Sequence, residues 1–173
     1  ANFRGTLDRV ETIENCDDFR CEMMPGSVAY NMGKVGVSGT YIRDCSEEQL
    51  DSRTCGYGVF IHAEDLSGGS SWIKEYPIGN TYGIPVISQR KNGGFVMASK
   101  CGEESYARTV GLYDVEENTG DGDCFFVARF LDNGSMERSD VFSFAGEITI
   151  WDLILTNEGR SLVVSGEASG DLS

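Results

Sequence analysis

Short apolar segments rich in β-branched and aromatic residues alternate along this chain with polar turns of Gly, Asn, Asp and Ser. Such punctuation is the mark of an all-β fold. It predicts strands over 3–13, 27–31, 35–42, 57–63, 71–76, 84–88, 94–100, 105–113, 124–131, 140–144, 147–156 and 161–165. The turns carry their own chemistry. Asn92-Gly93-Gly94 and Asp132-Asn133-Gly134 supply residues that accept positive φ, and Glu158-Gly159 does the same between Leu155 and Leu162, where a short-loop hairpin is expected.

Two segments are apolar on both strand faces. In 124–131, Cys124, Phe126, Ala128 and Phe130 share one face, and Phe125, Val127, Arg129 and Leu131 the other. In 147–155, strict alternation sets Ile148 and Ile150 against Trp151, Leu153 and Leu155. Both segments therefore read as central strands covered from two sides. The one helical signal is Ser46-Glu47-Glu48-Gln49, a capping box followed by Leu50, which predicts a single short helix between Cys45 and Cys55. The expectation is one all-β domain over 1–173, an antiparallel barrel or sandwich of about eight to twelve strands with one short helix and disulfide bracing.

Composition narrows the setting. The chain has 28 acidic and 14 basic residues, a formal charge of −14. Such a surface repels nucleic acid and anionic lipid and attracts cations. No apolar run approaches twenty residues, so membrane insertion is not expected. A hydrophobic content of 40% separates the chain from acidic disordered sequences.

Six cysteines, Cys16, Cys21, Cys45, Cys55, Cys101 and Cys124, accompany a single histidine, His62. Their spacings are unlike the C-x2-C knuckle of structural zinc sites, so disulfides and an oxidising, extracellular location are the favoured reading. Ala1-Asn2-Phe3 is compatible with what cleavage after a small residue leaves behind. Six cysteines allow fifteen pairings. The sequential one (Cys16–Cys21, Cys45–Cys55, Cys101–Cys124) is the most economical, and a bridge between subunits stays open beside it. A domain of this length buries a core without covalent help, so the bridges read as reinforcement, about 2–4 kcal/mol each.

Candidate chemistry is sparse. His62 is followed by Glu64 and Asp65, the components of a base oriented by a carboxylate, but it alternates with Phe60 and Gly58 along a strand, and a strand-end histidine without a catalytic role is the plainer account. No G-x-S-x-G elbow surrounds any serine, and no catalytic residue is assigned. The loop 114–123 places Asp114, Glu116, Asn118, Asp121 and Asp123 among glycines. These are hard oxygen ligands suited to calcium, the one cofactor the sequence suggests, although Cys124 stands where an EF-hand needs glutamate. Asn133-Gly134-Ser135 is an N-glycosylation sequon in a predicted turn. Trp72 and Trp151 are the aromatics available for a sugar-binding platform, against the commoner role of core packing.

Three stretches carry a family likeness: Gly111-Leu112-Tyr113-Asp114; the strand Phe125-Phe126-Val127-Ala128-Arg129-Phe130 running into Asp132-Asn133-Gly134; and the ending Leu162-Val163-Val164-Ser165-Gly166-Glu167-Ala168-Ser169-Gly170. In these the C-terminal half resembles the β-barrel of allene oxide cyclases and dirigent proteins. The ending keeps only the outer glycines of that family's Gly-Gly-Thr-Gly-like turn, and no catalytic residue carries over. The resemblance implies a barrel able to hold a small apolar ligand.

Taken without the resemblance, strand-like segments near the chain ends point to a non-enzymatic extracellular structural or interaction protein, a subunit of a surface layer or fibre built by terminal strand exchange. Its partners would be copies of itself, other extracellular proteins or glycans. A ligand-binding or isomerising barrel and a carbohydrate-binding module are the alternatives.

Overall fold

The computed structural model describes residues 21–31, 33–43, 56–78, 83–101, 123–144, 146–156 and 161–169. The expected strands over 3–13 and 105–113, the helix after Ser46, the Glu158-Gly159 turn and the first two disulfide pairings lie outside them.

Ten strands form among the described residues, all antiparallel. The first sheet is a meander of β1 (Cys21–Asn31), β2 (Lys34–Arg43), β3 (Gly56–Asp65) and β4 (Trp72–Tyr76). The second is a meander of β5 (Val86–Gln89), β6 (Phe95–Lys100), β7 (Cys124–Phe130) and β8 (Met136–Ser143). Strands β9 (Glu147–Thr156) and β10 (Ser161–Ser169) pair as a two-stranded ribbon. No helix occurs among the described residues, so none there is long and apolar enough to cross a membrane.

The sheets are not closed into a barrel; they stack as a sandwich. Val59, Ile61, Ala63 and Tyr76 of the first sheet meet Phe95, Met97, Phe126, Ala128 and Phe130 of the second. On its other face the second sheet presents Val86, Val96, Ala98, Phe125 and Val127, which meet Ile150 and Leu153 of the ribbon. The second sheet is thus the middle layer of three. Its strand β7 is buried nearly throughout, as apolar residues on both faces require, and the two faces divide as alternation predicts. Its outer strand β8 ends the sheet with Glu137, Arg138 and Asp140, charges that discourage edge-to-edge pairing.

Close approach of the layers depends on small residues. A Cβ on Gly36 of β2 would run into the Phe95 ring and come within 2.9 Å of Ile87, so glycine lets the first sheet settle on the second. Nearby, the Ser38 hydroxyl donates to the Pro85 carbonyl at 2.8 Å, and Ile87 N–H donates to Ser27 Oγ at 3.3 Å. On the opposite face of the first sheet, Phe60 and Tyr41 are fully buried, each directly across from a glycine, Gly39 and Gly58 respectively. The rings lie over the space those glycines leave.

One tryptophan locks the two sheets together at their ends. The β7–β8 turn has Gly134 at φ +80°, and Asn133 Oδ1 accepts from Ser135 N–H at 3.0 Å. Trp72 of β4 lies against Gly134, where a Cβ would come within 2.7 Å of the indole, and its Nε1–H donates to the Asp132 carbonyl at 2.8 Å. The same ring packs on Phe95 and Phe130, with centroids 6.1 and 6.2 Å away. Lys34, the first residue of β2, pairs with the Asp132 carboxylate.

Candidate functional site

The residues singled out for chemistry scatter over the molecule. His62 sits in β3 directly between Val37 and Ile73, on the face of the first sheet that also holds Phe60. Burial lowers its pKa, and Glu64 opposes that shift. Asp65 does not orient it: that carboxylate accepts from Ser67 N–H at 2.9 Å and from the Ser67 hydroxyl, bonds that hold it below the usual carboxylate range. His62 is therefore a half-buried neutral strand residue.

This position makes the only histidine a stability reporter. Because the folded state lowers its pKa, the unfolded chain binds the proton first as pH falls. Its contribution is fully kept above about pH 6.5, the unfolded value, and is lost as pH drops from there through the lower folded pKa. Denaturant unfolding of wild type and His62→Gln between about pH 8 and pH 5 should show the wild type losing stability relative to the variant on acidification. Parallel curves would refute it.

Of the proposed calcium ligands, Asp114, Glu116, Asn118 and Asp121 lie outside the described residues. Asp123 is a junction residue. Its carboxylate pairs with Lys100 and accepts from Ile148 N–H at 3.1 Å, while its backbone bonds Gly146 and Phe144. Among the described residues no group of three or more His, Cys, Asp or Glu is placed to hold a metal ion. Asn133 is exposed at the β7–β8 tip. Cys101 and Cys124 form the third expected disulfide, with Cα atoms 5.4 Å apart, which fits an oxidising compartment.

The tryptophans divide. Trp72 is the strut described above. Trp151 is 61% exposed on the ribbon, at a β-bulge. Asp152 pairs with Ser165 and Ile150 with Gly166, so Trp151 has no residue opposite it. The extra residue shifts the alternation by one. Leu153 and Leu155 consequently join Ile148 and Ile150 on the inner face, against the second sheet, instead of opposing them. The expectation that 147–155 is covered on both sides is corrected accordingly: one face is core, and the other is open. Gly166 is the sequence trace of this device, because a Cβ there would collide with the Thr149 carbonyl across the ribbon.

The outward face that results groups exposed apolar residues on one side of the ribbon. Ile154 and Val163 lie directly opposite each other, 52% and 48% exposed, beside Trp151. Glu147, Asp152 and Glu167 are exposed on the same two strands, and neither strand contains Lys, Arg or His. Among the described residues no third strand joins the sheet of β9 and β10. Such a face offers apolar contact with an acidic surround.

No protein-family model matches the chain, and no curated protein matches it.

Proposed function

We propose that this is an extracellular structural or interaction protein that works by presenting its C-terminal ribbon to other polypeptide chains. The observation that carries the reading is the exposed face on which the bulge groups Trp151 with Ile154 and Val163. An exposed aromatic and two aliphatics grouped on one ribbon are a contact surface at its expected composition. Assembly into a layer or fibre is the homotypic form of this function, and the charge of −14 per copy sets its condition: repulsion has to be screened or neutralised.

The test is sedimentation velocity with negative-stain microscopy from about 0.05 to about 0.5 M salt, where the screening length shortens to a few ångströms. In the homotypic form wild type associates as salt rises, and the Ile154→Ser/Val163→Ser variant does not. Association of the two proteins to the same extent would overturn the ribbon as the surface of self-assembly.

The exposure of Trp151 also suits a carbohydrate-binding module, with the indole as the platform. Binding on a glycan array that Trp151→Ala abolishes would favour that reading over a protein contact.

A further inference from the structure

We infer that the ribbon is built to take a basic, partly apolar segment of another protein rather than a second copy of this chain. This rests on the ribbon being the contact surface and adds the chemistry of its partner. Three features of the face agree. Trp151 is an exposed indole, the best aromatic surface for an ammonium or guanidinium group. Glu147, Asp152 and Glu167 are exposed around the apolar residues with no cation on either strand to neutralise them. Ile154 and Val163 supply the apolar contact that a purely electrostatic site lacks.

A second copy meets this face badly. Two ribbons in a symmetric contact bring the same three carboxylates together, within a pair of molecules of charge −14 each. A segment that carries Lys or Arg beside aliphatic residues meets each feature with its complement. Its cations lie on the indole and toward the carboxylates, and its apolar side chains cover Ile154 and Val163. The net charge draws such a segment in and fixes its orientation. An extended segment also suits the ribbon, a two-stranded antiparallel unit that no third strand joins among the described residues.

The two occupants respond to salt with opposite sign. A basic segment binds more weakly as salt rises, whereas copies associate more strongly. The experiment uses the whole protein and two synthetic peptides, one alternating Lys and Arg with Val and Leu, the other with Glu in place of every basic residue. Binding is followed by fluorescence anisotropy of labelled peptide at low and high salt. The basic peptide should bind, the acidic peptide should not, and salt should weaken the complex. Trp151→Ala should weaken binding about tenfold and Trp151→Phe much less, since a ring is retained. Asp152→Asn with Glu167→Gln should weaken it and flatten the salt dependence.

Equal binding of the two peptides, or basic-peptide binding that Trp151→Ala leaves unchanged, would overturn the inference. If that happens while Ile154→Ser/Val163→Ser still abolishes salt-promoted association of the protein with itself, the contact surface stands and the copy is its occupant. If the ribbon variants change neither measurement, both readings fall.

Discussion

Replacing Phe130 by alanine is expected to cost about 3–5 kcal/mol, enough to leave a protein of ordinary stability close to unfolded. Phe130 is fully buried at the end of β7, between the two four-stranded sheets. Its ring meets Trp72 and Tyr76, with centroids 6.2 and 6.0 Å away. Truncation removes the transfer free energy of the ring, leaves a cavity that neighbouring sheets cannot close, and loosens the strut that Trp72 makes between them. Phe142 provides the comparison. It stacks on Phe125 at 4.8 Å but lies on the outer strand β8 and is 44% exposed, so Phe142→Ala should cost no more than about 1 kcal/mol. Denaturant midpoints at constant slope measure both. Equal losses would mean that the interface between the sheets is not the principal core.

Loss of the Cys101–Cys124 bridge is expected to cost about 3 kcal/mol, the chain entropy regained when a loop of sequence separation 23 is no longer closed in the unfolded state. The two residues stand directly across the β6–β7 ladder: Lys100 pairs with Phe125 in the preceding position, and Cys101 N–H donates to the Cys124 carbonyl at 2.8 Å. The ladder holds this geometry by its own hydrogen bonds, so Cys101→Ala with Cys124→Ala should keep the native circular dichroism while lowering stability. A loss under about 1 kcal/mol would show that the unfolded chain keeps the two strands together without the bridge. The adjacent Lys100–Asp123 pair is partly solvent-exposed and adds little on its own account. The greater role of Asp123 is to join β7, β8 and β9 through its backbone and through Ile148 N–H.

Much of the architecture was legible along the chain. Strand β7 reads as central because Phe126, Ala128 and Phe130 alternate with Phe125 and Val127, and a segment apolar on both faces has to be covered twice. Gly93 and Gly134 mark turns because positive φ is cheap only at such residues, and both adopt it. The sequential pairing, read as the most economical, ties the end of one strand to the start of another through Cys101 and Cys124, and that bridge forms. Composition also indicated an all-β chain before any contact was known.

Strand β9 shows where that legibility stops. Its alternation, extended without a break, puts Trp151 with Leu153 and Leu155, but the ribbon inserts one extra residue and reverses the assignment. A bulge is stabilised by the partner strand and by the layer beneath, neither of which is encoded in the period of a single strand. Trp72 and Trp151 likewise look equivalent in sequence. One becomes a strut because Phe95, Phe130 and the turn at Gly134 converge on it, and the other becomes surface because its strand is the outermost layer. Local chemistry therefore determined most of the described strands, the turns at Gly93 and Gly134 and the covering of β7 on both faces. Tertiary structure alone decided that the two meanders stay open as a sandwich and which face of the ribbon looks outward. The physical reason is that burial belongs to the contact between layers, and a residue's own neighbours in the chain specify only its side of the strand.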